Sequence, residues 1–158
     1  MSFLSIRQGL TLIAILCPLW VNAEVEFERV WPGYRSAESF TTISEYFGSA
    51  PAGNNREALR TQPAARDGYY WLARTRSKTA HPGSTLRVEV TREGETEPTA
   101  YAFDLDVKTG SNAVFVGLTG TDWADPDAAP IAWRISLVDA DGNLLVSRNS
   151  FLWNHSDA

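Results

Sequence analysis

Three stretches of this chain alternate side chains with a period of two, and turn signals lie between them. Leu86, Val88 and Val90 alternate with Arg87, Glu89 and Thr91. Tyr101, Phe103, Leu105 and Val107 alternate with Ala102, Asp104, Asp106 and Lys108. Ile131, Trp133, Ile135 and Leu137 alternate with Ala132, Arg134, Ser136 and Val138. An extended chain sends successive side chains to opposite faces, so each stretch predicts a strand with one buried face. Residues 69–76 are rich in aromatics and apolar on both faces at their start, as a central strand requires. Residues 113–118 are a continuous apolar run, readable as a buried strand. Residues 144–153 complete a hairpin around Ala140-Asp141-Gly142, where two-residue and three-residue loops both fit.

The earlier part of the chain is less regular. Val25, Phe27, Arg29 and Trp31 alternate with Glu26, Glu28 and Val30, predicting a strand that Pro32-Gly33 ends. Phe40, Ile43, Tyr46 and Phe47 fall at helical spacing between Ser36 and Gly48, predicting a short amphipathic helix over 36–47. Residues 49–55 read as a loop and 58–61 as a short extended piece. His81-Pro82-Gly83, Glu93-Gly94 and Thr109-Gly110 read as turns. Helices do not alternate with strands, so a parallel sheet is not expected. Two antiparallel sheets packed face to face are.

The strand count and spacing over 68–153 resemble immunoglobulin-like and fibronectin-type sandwiches. The resemblance is architectural, and the cysteine pair of antibody-type domains is missing, so it assigns no functional residue. The expected fold is mainly all-β, an antiparallel β-sandwich with one short N-terminal helix. It forms a single domain over 24–158, with 24–66 as a strand-helix-loop extension packed on it.

The N-terminus predicts export. A polar start carrying Arg7 precedes a 12-residue, mostly apolar run over 10–21, and Val21-Asn22-Ala23 puts small residues where a signal peptidase cuts. Residues 1–23 therefore read as a signal peptide removed after Ala23, leaving 135 residues in the periplasm or outside the cell. The run is too short for a transmembrane anchor, which needs about 20 apolar residues. Leu16 before Cys17 and Pro18 after it argue against a lipidated cysteine. Cleavage removes the single cysteine, so no disulfide forms and the core alone holds the fold. A domain of this size buries roughly two-thirds of its unfolded surface, which is sufficient. Cleavage also removes Arg7, taking the net charge from −5 to −6. An acidic chain without a basic block is a poor partner for nucleic acid, where phosphate neutralisation supplies much of the affinity. It shows no second hydrophobic run to span a membrane.

The chemistry is sparse. Two histidines, His81 in a turn and His155 near the end, do not make a zinc site, which wants three ligands. No Gly-x-Ser-x-Gly elbow or phosphate-binding glycine loop is present. Carboxylates are plentiful, but a small sandwich rarely offers the cleft that glycoside hydrolysis needs. Residues 120–130 form the longest connection between late strands and hold Asp122, Trp123, Asp125 and Asp127 between structured ends. These four are the candidate binding residues. The three aspartates are also a weak candidate for calcium, which takes six to eight oxygens. Asp139-Ala140-Asp141-Gly142-Asn143 has its glycine too early for an EF-hand loop, and no glutamate closes it. Trp71 and Trp133 read as core, while Trp31 and Trp153 read as closing the sandwich ends. Trp123 has two readings: exposed, where it could stack on a sugar, or folded back as a plug of the core. Asn154-His155-Ser156 matches a glycosylation acceptor, relevant in a eukaryotic host.

These observations lead to an exported, non-catalytic sandwich that binds a protein partner or stabilises an envelope assembly, with no cofactor. The rival is a carbohydrate-binding module using Trp123 or Tyr34. A third reading is a small carboxylate-dependent hydrolase.

Overall fold

The computed structural model describes residues 24–40 and 57–155. They build two four-stranded sheets from β1 (Val25–Arg35), β2 (Glu57–Arg60), β3 (Gly68–Ser77), β4 (His81–Thr91), β5 (Thr99–Val107), β6 (Gly110–Thr119), β7 (Ala132–Val138) and β8 (Leu144–Asn149). Short 3-10 helices occupy Ala37–Phe40, Gly120–Asp122 and Phe151–His155. The first sheet has the order β1-β3-β6-β2 and the second β5-β4-β7-β8. The sandwich is thus mostly strand, as the alternation predicts. Among the described residues no helix is long and apolar enough to cross a membrane.

The core forms where the alternating faces meet. Leu86, Val88 and Val90 on β4 and Ile135 and Leu137 on β7 are fully buried against Trp71, Val116 and Leu118 of the other sheet. Tyr101, Phe103 and Leu105 face the same core but are half-buried, because β5 is an edge strand. Trp133 is also half-buried and presents its ring edgewise to Trp71, with centroids 6.4 Å apart.

Four local expectations are corrected. First, β1 does not end at Pro32-Gly33; both pair with β3, opposite Trp71 and Tyr70. A proline cannot donate to a ladder, but β1 lies at the sheet edge, where one side of the strand has no ladder to lose. Second, the face of β1 changes partway. Val25 and Phe27 are buried, then the register shifts between Phe27 and Arg29, and Val30 points inward while Trp31 is 36% exposed. A one-residue bulge flips every side chain beyond it, so Trp31 does not close the sandwich. Third, His81-Pro82-Gly83 belongs to the start of β4 rather than to a separate turn. Pro82 and Gly83 form a bulge between His81 and Ser84, and Gly83 N–H donates to Asp106 Oδ1 at 2.8 Å. Fourth, one pair is parallel: β2 runs alongside β6. Paired residues such as Glu57 and Val114 lie 57 positions apart, so no hairpin dictates the strands' direction.

The hairpin between β7 and β8 resolves to a three-residue loop. Asp139 N–H donates to Asn143 C=O and Gly142 N–H to Asp139 C=O, with Gly142 at a φ of +85° that only glycine adopts without strain. Of the helix expected over 36–47, residues 37–40 form a 3-10 turn, and 41–47 lie outside the described residues. The signal-peptide expectation for 1–23 also falls outside them.

Candidate functional site

The four candidate residues lie at one end of the sandwich. This end gathers the β4–β5 turn, the connection from β6 to β7 and residues 61–67, which lead into β3. The β6 ladder ends at Thr119, which is fully buried and clamps the incoming chain. Its N–H donates to Thr61 Oγ1, its hydroxyl donates to Gln62 C=O, and its Oγ1 accepts from Gln62 N–H, each at 3.0 Å. The Gln62 side-chain amide continues outward, donating to Thr121 Oγ1 at 2.5 Å and Asp122 Oδ2 at 3.4 Å. Residues 61–62 thereby fix the start of the candidate loop.

Arg92 fixes its far wall. The guanidinium donates to Asp122 C=O at 3.1 Å and to the Tyr101 hydroxyl at 2.9 Å. It lies 5.0 Å from the centre of the Trp123 ring and pairs with Glu95 at 3.5 Å. The Trp123 ring is 5% exposed and tilts against Tyr69 at 5.0 Å, so the plug reading describes its position. Its Nε1–H has no acceptor among the described residues. Burial pushes the Tyr69 phenol above its ordinary value. A deletion at Trp123 is therefore a core deletion, and the ring face is not open for stacking. Tyr34 likewise packs on the core, half-buried.

Between these walls lies an open cleft of about 490 Å³. Its lining carries four carboxylates, Glu93, Asp122, Asp125 and Asp127, and one guanidinium, Arg92. Asp125 and Asp127 are exposed, and Asp125 Oδ1 accepts the Asp127 N–H at 2.9 Å, which stiffens the turn. The three loop aspartates do not converge on a point: among the described residues no three acidic, histidine or cysteine side chains group closely enough to hold a metal ion. The structure thus brings Asp122, Asp125 and Asp127 to one cleft and turns Trp123 beneath it. Sequence reasoning missed Glu93, which it read only as part of a turn, and also Arg92 and Gln62. Arg92 and Gln62 sit 30 and 60 residues from Asp122, and no local pattern signals those contacts.

His81 lies at the opposite end. Its Nε2 is 3.2 Å from Thr79 Oγ1, and that hydroxyl lies 2.5 Å from Glu24 Oε1, to which it donates. A hydroxyl that gives its proton to a carboxylate is not presented to the imidazole as a nucleophile.

No family model matches the chain, and no curated protein matches it. Among solved structures, the chain is similar to the crystal structure of endonuclease/exonuclease/phosphatase from Beutenbergia cavernae DSM 12333. The identity is 16% and the TM-score 0.27, over 80% of this chain and 35% of that one. The chain spans about a third of that protein's length, and a likeness at this score carries no argument.

Proposed function

We propose that this chain is an exported, non-catalytic β-sandwich module that holds a basic segment of a protein partner in the cell envelope or outside the cell. The observation that carries the reading is the cleft: four carboxylates line it, and its one guanidinium is occupied by Asp122, Tyr101 and Glu95. A lysine or arginine side chain complements such a surface, and an acidic one is repelled. The clamps at Thr119 and Arg92 hold the walls before a partner arrives, which lowers the ordering cost of binding. The packed positions of Trp123 and Tyr34 take support away from the carbohydrate reading.

We assign the sandwich to the immunoglobulin and fibronectin type on strand order. In the letters of immunoglobulin domains, β1, β3 and β6 stand at A, B and E, and β5, β4, β7 and β8 stand at C′, C, F and G. The position of D is taken by β2, which comes from upstream and runs parallel to β6.

The test is calorimetric titration of residues 24–158 with an Arg/Lys-rich decapeptide. The Asp125→Asn and Asp127→Asn double variant should weaken binding by about tenfold, and raised salt should weaken it further. No heat from the unsubstituted protein at millimolar peptide would sink the proposal. Glycosidase turnover abolished by either substitution would make the protein the carboxylate hydrolase instead.

A further inference from the structure

The two outer faces of the sandwich differ in kind. Outside the second sheet stand Arg87, Glu89, Ala102, Asp104 and Arg134, with Arg134 paired in two-pronged fashion to Glu89 at 2.7 and 2.8 Å. That is an ordinary solvated face. Outside the first sheet the register aligns Trp31, Leu72, Phe115 and Ala58 across all four strands, an apolar row on an outward surface. Trp31 is 36% exposed and the other three are half-buried.

Arginines border this row on both sides. On one side Arg29 and Arg74 are paired neighbours, and their guanidiniums lie 4.8 and 6.0 Å from the centre of the Trp31 ring. On the other, Arg35 lies 5.1 Å from the Phe115 ring, and Arg60 lies 5.1 Å from Phe40, itself packed on Phe115. Arg76 stands one step further out, paired with Glu28. Among the described residues these five guanidiniums stand beside Glu26 and Glu28, with Asp67 near Tyr70, on a chain whose net charge is −5. This concentration of positive charge is the reverse of the chain as a whole.

We propose that this face is a second docking surface, independent of the acidic cleft, and that its occupant is an acidic segment of a partner protein carrying apolar side chains at alternate positions. The row supplies apolar area, and the arginines on its flanks supply paired charge for carboxylates on either side. Four strands about 4.8 Å apart make the row roughly 14 Å long, the span of four or five extended residues. A polyanion without apolar groups would leave Leu72 and Phe115 unused. A membrane would require apolar side chains that protrude, whereas Leu72, Phe115 and Ala58 are half-buried.

The experiment is amide chemical-shift mapping on isotope-labelled residues 24–158, with a decapeptide alternating Glu with Leu and Phe as the probe. Shifts should fall on β1, β3 and β6. The Arg29→Glu and Arg74→Glu double variant should weaken binding by about tenfold or more, and a peptide with Lys in place of Glu should bind this face about tenfold more weakly, as read from the shifts on β1, β3 and β6. Arg29→Gln with Arg74→Gln repeats the test with a smaller perturbation, and a dispersed spectrum shows that either variant is folded. Shifts confined to 120–130, equal affinity of the Lys peptide at β1, β3 and β6, or indifference to charge reversal would each overturn the proposal. So would binding that emerges only after residues 41–56 are replaced by a Gly/Ser linker, which would make the chain's own segment the occupant. Self-association of the unsubstituted protein lost in the variants, or capture by phosphatidylglycerol vesicles without peptide binding, would assign the face to a second copy or to lipid and overturn it equally.

Discussion

Gly117 should be far less replaceable than Gly33 of the same sheet, although both stand in the same outward row on either side of Tyr70. A Cβ built on Gly117 would lie 2.3–2.7 Å from three carbons of the Tyr70 ring, whereas one on Gly33 meets nothing within 4 Å. Neither glycine has a positive φ, so the difference is steric and not conformational. The ring cannot step aside freely. It is fully buried, its hydroxyl donates to Arg66 C=O at 2.7 Å, and the hydroxyl oxygen accepts from Arg60 Nε at 2.8 Å. Forcing it away costs about 1–3 kcal/mol of overpacking. Losing either hydrogen bond adds about 0.5–1.5 kcal/mol. Against this, alanine in a strand is better than glycine by roughly 0.5–1 kcal/mol. Gly117→Ala should therefore destabilise by about 0.5–4 kcal/mol, and Gly33→Ala should leave stability unchanged or raise it slightly. For a domain of this size about 1 kcal/mol corresponds to roughly 3–5 °C, so calorimetric melting separates the two variants easily. The cycle with Tyr70→Ala is decisive: in that background Gly117→Ala should cost nothing, giving an interaction energy of at least about 1 kcal/mol. Equal melting temperatures for the two glycine variants would show that Tyr70 moves without cost and would refute the argument.

Three further outcomes follow from the packing. Trp71 is fully buried, so Trp71→Ala should cost about 3–5 kcal/mol in denaturant unfolding, and Trp123→Ala should cost a similar amount because the ring is a plug. Arg92→Met should loosen the candidate loop without unfolding the sandwich, read as faster amide exchange confined to 120–130, since it removes the bonds to Asp122 C=O and the Tyr101 hydroxyl. Hydrogen bonds from the Asn143 side chain, and from the Asn143 and Asp141 N–H groups, hold the Asp139 carboxyl below the usual aspartate value. A depressed folded value stabilises the hairpin above the unfolded aspartate value and ceases to do so as pH falls through the folded one. Amide shifts at 139–143 should report that transition below the ordinary aspartate range, and Asp139→Ala should abolish it.

The alternation of β4, β5 and β7 determines which of their side chains form the core, because face is a local property of an extended chain: Val88 is inward wherever β4 pairs. The Ala140-Asp141-Gly142 turn is local in the same sense, since the glycine and the Asp139 carboxylate act within five residues. Tertiary structure decides what depends on a neighbour. The bulge in β1 turns Trp31 outward where unbroken alternation sends it in, because the shift is set by pairing with β3. Pro32 is accepted within a strand because that strand is at an edge, and strand order is not written in any one segment. Loop 120–130 is legible as a candidate from its acids and its length. Trp123 turns beneath it because Tyr69 and Arg92, distant in sequence, form the pocket that the ring fills. The apolar row over Trp31, Leu72, Phe115 and Ala58 draws one residue from each of four strands, and only their register places them side by side.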